Sequence, residues 1–137
     1  SPFDPALTIT PAMIEADLRL ISTVSRCVRT YGVDHGLDAV PALARQLGLR
    51  VILGAWIDSD SRGNGAQLQR ALALTRDYAD VIDLLVVGNE VLLRGEQTPA
   101  ALADMLATAR LSSRVPVTYA DVWEFWRRHG RSQPVAA

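Results

Sequence analysis

Four short runs of the chain are almost continuously apolar, and this pattern constrains the fold more than any other feature of the sequence. The runs are rich in β-branched residues and cover residues 27–31, 50–57, 81–87 and 115–119. A strand that is apolar at nearly every position is typical of a parallel sheet, because such a strand is covered on both faces. The runs therefore predict four parallel strands.

Amphipathic segments with helical spacing separate these runs. Thr10-Pro11 and Thr98-Pro99 each place a capping hydroxyl before a proline at the first helical position, which marks a helix start. Gly48 closes another helix as a left-handed residue. The polar residues 58–65 predict a flexible loop. Helix followed by strand, repeated four times, predicts one α/β domain with a parallel sheet of four to five βα units.

Two parallel-sheet architectures fit this order of elements. A doubly wound nucleotide-binding fold normally carries a glycine-rich turn after its first strand. The corresponding segment, residues 31–36, contains neither G-x-G-x-x-G nor G-x-x-x-x-G-K-S/T. The absence of these motifs disfavours a dinucleotide site. The alternative is part of a (β/α)8 TIM barrel, whose functional residues follow the C-terminal ends of the strands.

Composition and motifs exclude several other classes of function. The net charge of −1, from 14 basic and 15 acidic residues, favours neither nucleic acid nor an anionic membrane surface as a partner. The apolar runs are too short to span a bilayer. We find no convincing metal-ligand spacing and no G-x-S-x-G nucleophile motif, so we expect no cofactor. The single cysteine, Cys27, is predicted to be buried.

Aromatic, amide and charged side chains follow the predicted strands and form a consistent set. Aromatic faces pack on the apolar C–H face of a pyranose, while carboxylates, amides and guanidinium groups bind its hydroxyls. The set therefore indicates a sugar site. Its members, in chain order, are Arg29, Tyr31, Trp56, Asp58, Asn89, Glu90, Tyr119, Asp121 and Trp123.

Several of these residues also have a purely structural interpretation. Trp56 would fill the mouth of the barrel, and Arg29 would be satisfied by a salt bridge to Glu90 or Asp121 without any ligand. Trp123 and Trp126 would pack a helix against the sheet, and for Trp126 packing is the favoured interpretation. These alternatives stay open from the sequence alone.

The dipeptide Asn89-Glu90 is the sharpest chemical signal. A Glu at the tip of an apolar strand suits a general acid, and a neighbouring Asn can bind the hydroxyl next to the reacting carbon. The segment 86–96 resembles the acid/base segment of glycoside hydrolase family 17, in particular its bacterial branch of β-1,3-glucan hydrolases and glucanosyltransferases. Segments 28–32, 53–57 and 117–126 resemble the neighbouring strand ends of that family, in the same order.

This resemblance implies a TIM barrel and a retaining glycosidase or transglycosylase that acts on β-1,3-linked glucans. Glu90 would be the proton donor. The residues that it would place along the glucosyl subsites are Arg29, Tyr31, Asn89, Tyr119, Asp121 and Trp123.

The resemblance also predicts that parts of the barrel lie outside this sequence. A complete barrel takes about 250 residues, whereas this chain has 137. We expect residues 1–137 to form a single incomplete domain, with residues 1–3 as the end of a lost first strand and the last three units absent. The family's late Gly-Glu-x-Gly-Trp-Pro-like nucleophile segment is not in the sequence. Glu96 and Glu124 are expected to point outward.

An isolated chain without the nucleophile is expected to be nearly inactive. The alternative functions are therefore a carbohydrate-binding module that does not turn over, or a half-barrel that associates through its open edges. The predicted partners are a β-glucan oligosaccharide and either a second copy of the chain or a complementing barrel half. Neither terminus indicates a cellular compartment.

Overall fold

Four parallel strands form the centre of the computed structural model, which describes residues 9–129. The strands are adjacent in chain order, so each one pairs with the next. Four predicted strands are therefore confirmed, although three of them are shorter than the apolar runs. Their bounds are β1 Cys27–Arg29, β2 Arg50–Ala55, β3 Ile82–Asn89 and β4 Val117–Ala120.

The helices alternate with the strands in the predicted order, with a 3-10 turn at Leu37–Ala39 that leads into the second helix. The Thr10 hydroxyl accepts from the Met13 N–H at 3.3 Å, and the Thr98 hydroxyl accepts from the Ala101 N–H at 3.1 Å. Both predicted N-caps are thus confirmed. The helices are α1 Pro11–Ser22, α2 Val40–Gln46, α3 Ser61–Asp77, α4 Pro99–Ser112 and α5 Trp123–His129.

The prediction of a flexible loop over residues 58–65 is wrong in its second half. Helix α3 begins at Ser61, and the Asp60 carboxylate caps it by accepting from the Arg62 N–H at 3.1 Å. A side chain at Gly63 would meet that carboxylate, since an added Cβ would lie 2.8 Å from Asp60 Oδ2. The glycine that suggested a loop is therefore the residue that leaves room for the cap.

The core joins one face of the sheet to the helices. Val51 and Leu53 of β2 and Leu85 and Val87 of β3 are fully buried in one cluster with residues of α1, α3 and α4. The register places Leu53 beside Leu85, so these side chains form a continuous apolar surface. Burying each of them contributes about 1.5–3 kcal/mol relative to exposure. This packing is what holds the strand ends at fixed positions.

Strand β1 departs from the expectation that every strand is buried on both faces. Its three residues are exposed, half-buried and exposed in turn, and Cys27 is exposed. The prediction of a buried Cys27 is therefore wrong. The reason is that β1 lies at the edge of the sheet and, within residues 9–129, pairs only with β2. The predicted remnant of an earlier strand, residues 1–3, lies outside the described residues.

Candidate active site at the C-terminal edge of the sheet

The C-terminal ends of all four strands meet at one edge, because the strands are parallel. Ala55 pairs with Val87, and Asn89 pairs with Ala120. Since β1 and β2 end on the same side, the residues that follow these strands are arranged along one rim. The structure thus gathers the predicted residues from four separate segments at one edge of the sheet.

Glu90 follows β3 in an unusual backbone conformation. Its φ of 56° lies in the left-handed region, which residues with a side chain rarely adopt. Gly88, two residues earlier, has a φ of 80°, and the β3–β4 register shifts between Val86 and Asn89. The Glu90 N–H donates to the Ala120 carbonyl at 2.8 Å. Strain of this kind is found where surrounding contacts fix a functional side chain.

The Glu90 side chain is half-buried and has no hydrogen-bonding partner among residues 9–129. Most carboxylates described along the chain are paired; Asp80 and Asp83, for example, each bind an arginine. The Glu90 carboxylate is therefore placed at the rim by its backbone rather than by a side-chain partner, and it is available to a ligand.

Arg29 connects β1 to the end of β3. Its Nη2 donates to the Asn89 side-chain oxygen at 3.0 Å, and its guanidinium carbon lies 4.7 Å from the centre of the Tyr31 ring. The alternative salt bridge from Arg29 to Glu90 or Asp121 is not formed in the structure. Arg29, Tyr31 and Asn89 instead make one group, in which the arginine fixes the Asn89 oxygen and leaves the amide nitrogen as a donor.

Trp56 and Asp58 lie after β2 beside a cleft of about 360 Å³. The Trp56 indole N–H donates to Asp58 Oδ2 at 3.3 Å, and Asp58 Oδ1 accepts from the Asp60 N–H at 2.7 Å. The Asp58 backbone is held as well, since its carbonyl accepts from Asn64 and Gln97. Asp58 therefore orders the loop and the indole, and its predicted contact with sugar remains a prediction.

Tyr119 is 7% exposed, and its hydroxyl is occupied within the chain. The hydroxyl accepts from the Leu92 N–H at 3.0 Å and donates to the Asp121 carboxylate. Burial raises the pKa of the Tyr119 phenol well above its usual range, and the hydrogen bond to Asp121 adds to that rise. This geometry suits a residue that positions Asp121 and the segment after β3, rather than one that lines a subsite.

The two tryptophans of α5 differ in their surroundings. Trp126 packs edge-to-face on Tyr119 at a centroid distance of 5.7 Å, in agreement with the favoured packing interpretation. Trp123 is 72% exposed, and the Arg127 guanidinium carbon lies 5.6 Å from its ring centre. Trp123 therefore presents an aromatic surface that is available to a ligand, as the sugar-site prediction requires.

Arg94 is the residue that sequence reasoning missed. It follows no strand directly, yet its guanidinium donates to the carbonyls of Asn89 and Ile57, the latter at 3.0 Å. It also lies 4.7 Å from the centre of the Trp56 ring and binds Glu96. The expectation that Glu96 points outward is thus only partly met. No sequence signal identifies Arg94, because its partners are mostly backbone atoms that only the fold brings near.

No group of three or more His, Cys, Asp or Glu side chains among residues 9–129 could hold a metal ion. No helix described here is long and apolar enough to cross a membrane.

The fold and rim together define a parallel α/β protein with a carboxylate, amides and aromatic rings at the C-terminal ends of its strands. Residues 4–136 match the family described as the BtgE/BtgC glycoside hydrolase domain. The match covers nearly the whole chain, and the chain belongs to this glycoside hydrolase family. The predicted resemblance to glycoside hydrolase family 17 is thereby confirmed.

Curated relatives are considerably longer than this chain. A probable beta-glucosidase btgE of Aspergillus flavus is 30% identical over 109 residues, which is 75% of this chain and 18% of the relative. A glucan 1,3-beta-glucosidase of Schizosaccharomyces pombe is 28% identical over 121 residues, which is 81% of this chain and 38% of the relative. The chain therefore spans much less than half of these proteins.

Solved structures confirm the fold class. The Rhizomucor miehei β-1,3-glucanosyltransferase of glycoside hydrolase family 17 superposes with a TM-score of 0.74 at 26% identity, over 85% of this chain and 46% of that chain. An active-site mutant of the R. miehei enzyme in complex with laminaritriose gives a TM-score of 0.75 at 25% identity, over 83% of this chain and 45% of that chain. The four strands thus correspond to about half of a TIM barrel.

Proposed function

We propose that this chain supplies the acid/base carboxylate of a retaining glycoside hydrolase or glucanosyltransferase that acts on β-1,3-linked glucan. The observation that carries the proposal is the placement of Glu90. Its carboxylate stands at the C-terminal edge of the sheet without a partner among residues 9–129, in a chain of a glycoside hydrolase family. The substrate class follows from relatives described as a glucan 1,3-beta-glucosidase and a β-1,3-glucanosyltransferase.

The proposed chemistry has two steps. Glu90, as the carboxylic acid, protonates the glycosidic oxygen while a second carboxylate attacks the anomeric carbon, so the C–O bond breaks and a covalent glycosyl ester forms. Glu90, now a carboxylate, takes a proton from water or a sugar hydroxyl. That oxygen then attacks the anomeric carbon and releases the second carboxylate. Water as acceptor gives hydrolysis, and a sugar gives transglycosylation.

The second carboxylate is proposed to lie outside residues 9–129. A retaining pair needs two carboxyl groups about 5–5.5 Å apart. Of the carboxylates considered from the sequence, Asp121 is held by Tyr119 and the Val122 N–H, Glu96 by Arg94, and Glu124 pairs with Arg127. Each is committed to a structural contact, which favours a nucleophile on a further part of the barrel.

The rim around Glu90 is proposed to hold glucosyl units. Trp123 and Tyr31 expose aromatic faces, and the Asn89 amide nitrogen is left as a donor because Arg29 binds the amide oxygen. These groups match the mixed apolar and polar surface of a pyranose. Trp56 and Asp58 are proposed to extend this surface beside the cleft.

The test is Glu90→Gln in the full-length protein. We expect turnover of a β-1,3-linked gluco-oligosaccharide to fall by about 10³-fold, within the range typical of a lost general acid. A β-glucoside with a dinitrophenolate leaving group should lose much less in its first step, because that leaving group needs no proton. Added azide should restore the second step, because it attacks without base assistance.

Glu15→Gln is the matched control, since Glu15 is an exposed carboxylate of α1 that pairs with Arg19. It should leave both substrates unaffected. Unchanged oligosaccharide turnover in Glu90→Gln would show that Glu90 is not the acid. An equal loss on both substrates, without azide rescue, would assign Glu90 as the nucleophile instead. Binding of the oligosaccharide by the unsubstituted protein without any turnover would favour the carbohydrate-binding alternative.

The outer edges of β1 and β4 are proposed to be covered by further barrel strands, from the same polypeptide or a partner chain. Within residues 9–129, each of these strands pairs on one side only, and unpaired strand edges promote association. We therefore expect a fragment of residues 1–137 to associate with itself or with a complementing barrel half. Light scattering should show a dimer or a larger species, and a stable monomer with a native spectrum would contradict this proposal.

A further inference from the structure

We propose that Arg94 is a positioning residue that sets the orientation of Glu90 and of the Trp56 ring with a single guanidinium group. The inference rests on the proposed role of Glu90. It goes beyond that role because Arg94 follows no strand end and is not expected to touch the substrate. Its evidence is the set of contacts that Arg94 makes on both sides of Glu90.

Arg94 binds the carbonyls of both peptide groups that flank the Glu90 side chain. Its guanidinium Nη1 donates to the Asn89 carbonyl, and its backbone N–H donates to the Glu90 carbonyl at 2.9 Å. On the other side, the Glu90 N–H donates to Ala120 at 2.8 Å. A residue at a φ of 56° stays there only when surrounding contacts fix its peptide groups. The Arg94 guanidinium supplies one of these three contacts, and the Arg94 backbone N–H, which any residue at this position keeps, supplies another.

The same guanidinium reaches the end of β2. Its Nη2 donates to the Ile57 carbonyl at 3.0 Å, and its carbon lies 4.7 Å from the centre of the adjacent Trp56 ring. A guanidinium attracts an aromatic face and can donate hydrogen bonds within its own plane at the same time. Arg94 therefore couples the candidate acid after β3 to an aromatic surface after β2.

Glu96 holds the guanidinium in the orientation that these contacts require. Its carboxylate accepts from Arg94 Nε at 2.7 Å, and the two side chains are only 26% and 27% exposed. The intervening Gly95 has a φ of 67°, which closes the turn between the two residues. A lysine could not replace Arg94 fully, because its ammonium is a single point and lacks the planar set of donors.

The experiment compares Arg94→Met with Arg50→Met in the full-length protein. Arg50 is a matched control, because its guanidinium also joins two strands, through Asp83 and the Asp80 carbonyl, but at the opposite edge of the sheet. Activity is measured on a β-1,3-linked gluco-oligosaccharide and on the dinitrophenyl β-glucoside. Glu90→Gln is measured alongside, and circular dichroism compares the folding of each variant.

We expect Arg94→Met to lower kcat on the oligosaccharide by about 10²-fold, the loss that a misplacement of about 1 Å can cause. The first step on the dinitrophenyl glucoside should fall much less, because a misplaced proton donor matters little when the leaving group needs no proton. Arg94→Lys should recover part of the loss. Arg50→Met should not distinguish the two substrates.

Equal losses on both substrates in Arg94→Met, or the same pattern in Arg50→Met, would overturn the positioning role while leaving that of Glu90 intact. Full oligosaccharide activity in Glu90→Gln would overturn the proposed function, and the role of Arg94 with it. If Arg94→Met fails to fold, the variants Arg94→Lys and Glu96→Gln test the positioning role instead. Each should lose oligosaccharide activity selectively, and a uniform loss in both would contradict the proposal.

Discussion

The two edges of the sheet use charged residues in different ways. At the N-terminal edge, Arg50 pairs with Asp83 and Arg45 with Asp80, and all four side chains are 44–60% exposed. At the C-terminal edge, guanidinium groups bind backbone carbonyls, an amide and aromatic rings. Glu90 is left there without a partner among the described residues. One edge neutralises its charges, whereas the other holds a carboxylate available to a ligand.

At the C-terminal edge, polar groups mainly position the backbone, and the Arg94–Glu96 ion pair contributes to this by orienting the Arg94 guanidinium. Exposed ion pairs contribute little to stability, because water and salt screen them. Hydrogen bonds to backbone groups in a partly covered site are more consequential, since an unsatisfied group there loses its solvent as well as its partner. Substitutions at the C-terminal edge should therefore lower stability more than substitutions at the N-terminal edge. The same order is expected for activity.

The largest stability effect is expected for Gly88→Ala. The φ of 80° is unfavourable for alanine, and an added Cβ would lie 2.6 Å from Val91 Cγ2. Overpacking and backbone strain together should lower the free energy of unfolding by about 2–4 kcal/mol, as measured by urea denaturation. In Gly65→Ala, the control on α3, the added Cβ meets nothing within 4 Å. It should stabilise the helix by about 0.5–1 kcal/mol. A neutral Gly88→Ala would show that the turn into Glu90 tolerates rearrangement.

The next effect is expected for Tyr119→Phe, which removes the partner of the Leu92 N–H and of Asp121. Leaving these partly buried groups unsatisfied should cost about 1–3 kcal/mol of unfolding free energy. Tyr31→Phe is the matched control, because Tyr31 is exposed and keeps its ring beside Arg29; it should be close to neutral. Equal unfolding free energies for the two variants would contradict a positioning role of the Tyr119 hydroxyl.

The raised pKa of Tyr119 also predicts how the stability of the protein changes at alkaline pH. Its pKa is raised in the folded protein, by burial first and by Asp121 second. The folded state therefore retains the phenol proton more tightly than the unfolded state. Stability from this source is fully present below the unfolded pKa of about 10 and falls as the pH rises above it. Unfolding midpoints between about pH 8 and pH 11 should show this fall, and Tyr119→Phe should reduce it.

The smallest effect is expected at the N-terminal edge, from Asp83→Asn. The hydrogen bond from Arg50 lowers the pKa of the Asp83 carboxyl, so its contribution is present above the unfolded pKa of about 4 and is lost as the pH falls below it. Because the pair is exposed, added salt should weaken the contribution further. Thermal unfolding at neutral pH should change less than in Gly88→Ala or Tyr119→Phe. A larger change would contradict the difference between the two edges.

The sequence alone was sufficient to predict the parallel sheet and its helices, because the spacing of apolar residues and the helix caps are local properties. Thr10-Pro11, Thr98-Pro99 and Gly48 behave as predicted because a cap involves residues within one turn. Cys27 is exposed because β1 is an edge strand of the described sheet, which a neighbour in space decides. The start of α3 at Ser61 is a local feature, the Asp60 cap, which the loop prediction missed because the segment is polar and contains Gly63 and Gly65.

The candidate site also combines features that the sequence predicts with contacts that only the structure shows. The sequence by itself placed Glu90 and Asn89 at a strand end, because parallel strands carry their functional groups where they stop. Only the tertiary structure showed that Arg29 binds Asn89, that the Tyr119 hydroxyl is engaged inside the chain, and that Arg94 binds both carbonyls flanking Glu90. The long-range contacts among them join different segments, since Arg29 and Asn89 are 60 residues apart in the chain and the Tyr119 hydroxyl binds Leu92, 27 residues away. No local sequence pattern records them, because their distances are set by the packing of the whole sheet.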